Sequence, residues 1–203
     1  MKIIAIGASN SINSINKRLA NYAASLFENS SIEQIDLNTY EVEIYSVEKE
    51  AKNGMPSKIE ALANKIDKVD LLVISLSEQN GSYSAAFKNI YDWLSRIPNR
   101  KVLGEKPVLL MTTSPGGRDG TSVVAAGIDR FPRDGSEVLE SFSLPSFQDN
   151  FDNDEISNIS FRVELIRKVN TIKSNRFNHF YKDDSFTCGI DPTKDDCGDA
   201  IEY

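Results

Sequence analysis

Apolar and polar positions fall in blocks along this chain, and the blocks differ in period. Ile3–Gly7, Asp70–Leu76 and Lys106–Thr112 are short, near-continuous apolar runs. Runs of this kind read as strands covered on both faces. After the first run, Ile15, Leu19, Ala23, Leu26 and Phe27 recur at the spacing of one helix face. Extending the pattern predicts strands near 2–7, 33–37, 70–76, 106–112 and 139–144, and helices near 14–29, 57–68, 84–96, 119–130 and 155–179. Five strand–helix units in succession predict an α/β fold, a doubly wound five-stranded parallel sheet in three α/β/α layers. Right-handed crossovers place helices on both faces. Residues 38–56 read as a long polar connection, the kind of segment that carries function or assembly or is simply solvated.

Ligands of such sheets bind at the carboxyl ends of the strands, which selects three loops. The first carries Ser9, Asn10, Ser11, Asn13, Ser14 and Asn16 ahead of a helix. A helix N-terminus offers unpaired N–H groups and partial positive charge, so this stretch suits one phosphate. It also reads as a polar turn capped by Asn13 or Ser14. Neither the dinucleotide fingerprint nor the triphosphate-binding motif is present, so a terminal monophosphate fits best, and FMN is one ligand of that shape. The second loop, Ser77–Tyr83, holds Asn80-Gly81, a turn that exposes backbone donors and acceptors. The third, Thr112–Gly120, holds Gly116-Gly117, which permit close approach of a flat ligand. Asp119 is placed to cap the helix that follows, and Arg118 either meets a nucleotide phosphate or stays solvated. In the helix over 84–96, Phe87, Ile90, Tyr91 and Leu94 follow core spacing, whereas Trp93 falls off the stripe, as at a subunit interface or a partly exposed site.

Composition narrows the choices. The chain has 203 residues and a net charge of −7, with a pI near 4.9, which argues against a broad nucleic-acid surface. No apolar run is long enough for a membrane span, and the N-terminus reads as a first strand rather than a secretory signal, so a cytoplasmic location is expected. Cys188 and Cys197 both fall in the acidic tail and form no disulfide framework or zinc-ligand set. His179 is the only histidine. No hydrolytic triad, paired-carboxylate motif or metal cluster stands out.

Taken in register, the three loops resemble the NADPH-dependent FMN reductase family. Members commonly read G-S-x-R-x-x-S-x-N-x-x-L-A, P-E-Y-N-G-S with K-N-x-x-D-W, and S-P-G-G. Here these are Ala8–Ala20, Ser77–Ser82 with Lys88, Asn89, Asp92 and Trp93, and Ser114–Gly117. The resemblance implies a flavodoxin-like fold and an FMN-binding domain over 1–182; the acidic, Gly/Pro/Asp-rich composition beyond it reads as a C-terminal extension over 183–203 with no counterpart in the family core. The resemblance also implies bound FMN and hydride transfer from NADPH or NADH, then electron transfer to free flavin, a quinone or another small acceptor. A homodimer or homotetramer is also implied. Carried over residue by residue, Ser9, Ser11, Ser14 and Asn16 form the phosphate loop. Glu78, Gln79, Asn80 and Gly81 line the flavin ring, mostly through backbone, and Ser114, Gly116 and Gly117 close its other side. No catalytic acid or base is assigned. Three departures matter: the family arginine is Ser11, its tyrosine is Gln79 and its proline is Ser77. Lys17 or Arg18 is then the nearby cation for the phosphate. An electron carrier without a nicotinamide site, or a flavin-free assembly or regulatory protein on the same fold, are the alternatives.

Overall fold

The computed structural model describes residues 1–183, with side chains to Asn175; Cys188 and Cys197 lie outside the described residues. Five strands form one parallel sheet: β1 (Lys2–Ala8), β2 (Ser31–Ile35), β3 (Leu71–Leu76), β4 (Val108–Thr113) and β5 (Val138–Leu144). Their spatial order is β2-β1-β3-β4-β5. Every residue of β3 and β4 is buried. That is why their sequences carry no polar alternation: both faces meet a helix layer. This is the flavodoxin-like arrangement expected from the alternating pattern.

Two cores flank the sheet. On one side α1 (Ile15–Ser25) and α7 (Ile159–Asp183) cover Ile3, Ala5, Leu71, Val73, Leu109 and Met111. On the other side α3 (Ser57–Ile66), α4 (Ala85–Leu94) and α5 (Thr121–Arg133) cover Ile4, Ile6, Leu72, Ile74, Val108 and Leu110. The backbone of His179 falls within α7. No described helix is long and apolar enough to cross a membrane.

The differences from the sequence reading have local causes. The connection over 38–56 is structured. Asp36 caps a 3₁₀ turn at Leu37–Tyr40, and Ser46 caps α2 (Val47–Asn53). No residue of α2 is buried, so it has no apolar stripe to betray it. The final helix starts at Ile159 rather than near 155. The residues before it, Phe151–Asp152 and Glu155–Ile156, form a small antiparallel ribbon, and its turn residues Asn153 and Asp154 both have positive φ. A single turn, α6 (Phe147–Asn150), precedes that ribbon. Trp93 sits neither at a surface nor half-exposed: it is 2% exposed. The 38–56 connection covers it. Its Nε1–H donates to the Glu43 carbonyl at 2.9 Å, and its ring meets Tyr45 edge-on at 5.1 Å. Asn89 holds that cover in place, accepting from the Tyr45 amide and donating to the Val42 and Glu43 carbonyls.

Candidate functional site at the carboxyl ends of the strands

The loop 9–14 is set by how closely α1 follows β1. Gly7 lies near the end of the buried strand, and a Cβ there would collide with the backbone N and Cα of Lys17. Only glycine lets the helix start this near the sheet. Ser14 is the N-cap, and its Oγ accepts from the Lys17 amide at 3.1 Å. The Ile15 and Asn16 amides of the first turn are left directed out of the helix end. Ser9 accepts from the Ser11 amide through Oγ at 3.1 Å, and Ser11 and Asn13 are exposed. Hydroxyls and N–H groups at a dipole end are the donor set that a phosphate monoester needs.

Two expectations about this loop change. Asn16 is 3% exposed and turns inward. Its Oδ1 accepts from Ser75 Oγ at 2.7 Å and from the Thr113 amide at 3.0 Å, while Nδ2 donates to the Thr113 carbonyl at 3.3 Å. It is a strut that fixes α1 to β3 and β4, not a side chain facing the loop's open side. The nearby cations are also committed. Lys17 pairs with Asp36 at 2.7 Å. That hydrogen bond, with one from the Asn38 amide, holds the Asp36 carboxyl below its usual range. Arg18 pairs with Asp154 at 3.1 Å and lies over the Phe147 and Phe151 rings. A dianion here is met by hydroxyls, amides and the helix dipole, without the fork that the family arginine provides.

The second loop is a hairpin in which Glu78 pairs with Tyr83 and Gln79 with Ser82. Asn80 and Gly81 both have positive φ, 51° and 79°, as a two-residue primed turn requires. Gln79, Asn80 and Gly81 are exposed. Gln79 donates to Ser77 Oγ at 3.3 Å. Ser84 caps α4 and donates to the Ala8 carbonyl at 2.7 Å, so this loop is fastened to the end of β1.

The third loop is locked from below and open above. Ser114 Oγ donates to the Gly116 carbonyl at 2.8 Å and also to that of Arg118. The Gly116 and Ser114 carbonyls accept from the Ser146 and Phe147 amides, each at 2.9 Å. A Cβ on Gly116 or Gly117 would meet nothing within 4 Å, so a flat ligand has room there. Arg118 is exposed. Asp119 does not cap α5: its carboxylate takes the Thr121 hydroxyl, and the N-cap position falls to Gly120. Thr112 and Thr113 donate to the Leu76 and Leu144 carbonyls at 2.8 and 2.6 Å.

The three loops are therefore tied to one another: the first to the second through Ser84, and the first to the third through Asn16. The second is joined to α5, the helix that follows the third, through Glu78 Oε2, which accepts from the Val123 amide at 3.2 Å. Sequence reasoning missed Gly7, Ser75, Ser84, Thr112 and Thr113. The available signal was small or hydroxyl residues placed at the carboxyl ends of apolar runs. The donor set at the α1 N-terminus and the open glycine face of the third loop fit FMN.

Residues 1–147 match the family described as NADPH-dependent FMN reductase. The chain belongs to that family. Its relatives include a quinone reductase of Escherichia coli (strain K12), 40% identical over 76 residues, or 37% of this chain and 40% of that protein. An NADPH:quinone oxidoreductase of Arabidopsis thaliana is 34% identical over 91 residues, covering 45% of this chain and 44% of that one. The aligned stretches thus span less than half of either relative. Among solved structures, FerB from Paracoccus denitrificans, a flavoenzyme NAD(P)H:(acceptor) oxidoreductase, superposes with a TM-score of 0.68 at 19% identity. That alignment covers 85% of this chain and 97% of FerB, and it establishes the shared fold.

Proposed function

We propose that this chain is an FMN-dependent NAD(P)H oxidoreductase acting on small acceptors such as free flavin or a quinone. One observation carries the reading: three motif loops meet at the carboxyl end of the sheet, one a helix N-terminus rich in hydroxyls and two presenting open backbone. When bound, FMN would supply the redox chemistry, taking hydride from a reduced nicotinamide and returning electrons to the acceptor. The chain's own residues bind and orient. Ser9, Ser11, Ser14 and the first-turn amides of α1 would hold the phosphate. Asn80, Gly81, Gly116 and Gly117 would leave their backbone close to the ring. The named quinone reductases among the relatives support the acceptor class, and the family resemblance supports a homodimer or homotetramer.

The test is flavin binding followed by reduction. Purified protein titrated with FMN should take up the flavin, and NADPH added without oxygen should bleach its visible absorbance. Ser9→Ala combined with Ser14→Ala should weaken FMN roughly tenfold or more and leave riboflavin, which lacks the phosphate, nearly unchanged. Full FMN affinity in that double variant contradicts the phosphate assignment. A wild-type protein that ignores FMN removes the whole reading.

A further inference from the structure

Helix α5 has no cap of its own. Its N-cap residue Gly120 is left-handed at φ 68° and makes no side-chain cap. It cannot be exchanged for a capping residue, because a Cβ there would collide with Thr112 Oγ1. Asp119 beside it is spent on Thr121. The acceptor that reaches the first turn comes from elsewhere: Glu78, 45 residues earlier, meets the Val123 amide at 3.2 Å. A carboxylate at a helix N-terminus is favourable both as a hydrogen-bond acceptor and against the dipole.

Glu78 is itself fixed. Its backbone pairs with Tyr83 across the Asn80-Gly81 turn, and Tyr83 packs against Phe87 of α4 at 5.7 Å. The side chain is half-buried between the hairpin and α5. One carboxylate therefore joins the hairpin after β3 to the first turn of α5, the helix that directly follows the loop after β4; the hairpin and that loop are the two walls assigned to the flavin ring.

We infer that Glu78 is a positioning residue, a clasp that sets the separation of the two ring walls by lending α5 its cap. The inference rests on the flavin reading and adds to it that ring affinity, independent of the phosphate, depends on this side chain. The cap and the site are one device: when the hairpin moves off, α5 loses its first-turn acceptor. Glutamine keeps an acceptor oxygen in the same place, whereas alanine removes it.

The experiment compares wild type, Glu78→Ala and Glu78→Gln in two readouts. The first is fluorescence titration with FMN and with riboflavin. The second is hydrogen exchange at the Val123 amide in flavin-free protein. For Glu78→Ala, both flavins should bind about fivefold to tenfold more weakly, by the same factor, and the Val123 amide should exchange faster. Glu78→Gln should stay within about threefold of wild type for both flavins. Unchanged exchange at Val123 in the alanine variant overturns the clasp whatever the flavin result. Faster exchange with unchanged affinities leaves a helix cap without a role in the site and overturns it too, as does a loss confined to FMN, which would place the effect at the phosphate. Failure of the wild type to bind either flavin is a separate outcome that fells the underlying reading, while the exchange measurement still reports on the cap.

Discussion

The phosphate end and the ring end of the site are built in opposite ways. At the phosphate end, strand, loop and helix are contiguous: Gly7, Ser9 and Ser14 act on partners no more than ten residues along the chain. At the ring end almost every support is distant in sequence. Glu78 reaches Val123, Gly116 is held by Ser146, and Thr113 by Leu144. The first end relies on backbone geometry and a dipole, since Lys17 and Arg18 are committed to Asp36 and Asp154. The second relies on tertiary contacts that set a gap. Local damage should therefore unfold the first and loosen the second.

Glycine substitutions break that comparison most sharply. In Gly7→Ala the added methyl lands on the Lys17 backbone, which has no flexible end to move aside. The first turn of α1 must shift off the sheet, at a cost of about 3 kcal/mol or more, read as a drop in the urea midpoint. FMN binding should fall with it. Gly116→Ala, at the ring end, adds a methyl that meets nothing within 4 Å. Its unfolding free energy should change by less than about 0.5 kcal/mol, while flavin affinity drops because the open face is narrowed. Equal stability losses in the two variants would erase the distinction.

The same contrast explains what the sequence revealed. The inner strands were legible because burial on both faces leaves unbroken apolar runs, as in Leu71–Leu76, and the alternation of strands with helices made the parallel sheet legible. The Asn80-Gly81 turn was legible because few residue pairs accept two positive φ values. Helix α2 was not, since none of its residues is buried. Trp93 was misplaced because its cover is a polar segment that contributes a carbonyl and a tyrosine edge. Asn16 stands among loop residues with ligand-like chemistry, and only the fold shows its amide turned toward Ser75 and Thr113. The role of Glu78 was hidden because its partner is a backbone N–H, which every residue but proline possesses.

Asn16 sharpens the comparison at intermediate size, since it joins the two ends. Asn16→Ala leaves the buried Thr113 amide and the Ser75 hydroxyl without their acceptor. The expected loss is about 2–3 kcal/mol, below that of Gly7→Ala. Because α1 loses its strut, FMN affinity should fall more than riboflavin affinity. Equal losses for both flavins would place the effect at the ring end instead.

The smallest effect comes from Tyr83, at the root of the ring hairpin. Its hydroxyl is buried and has no hydrogen-bond partner among the described residues. Removing it in Tyr83→Phe should be neutral or stabilising by up to about 1 kcal/mol near pH 7, against the usual trend for a buried side chain. Burial also pushes the hydroxyl up to about 12. The folded state then holds this proton more tightly than the unfolded chain, whose tyrosines titrate near 10. Wild-type stability is thus undiminished by this group below about pH 10 and declines as pH rises toward 12. Phenylalanine removes that share of the alkaline decline. Tyr91 still contributes to that decline, because burial and its hydrogen bond to Asp134 raise its hydroxyl in the same direction, and Tyr22 and Tyr45 are raised as well. Thermal unfolding of both proteins from pH 7 to 12 should show two curves that diverge only on the alkaline side. A phenylalanine variant already weaker at pH 7 would mean that the hydroxyl is satisfied, and that the ring hairpin is anchored by more than packing and the reach of Glu78.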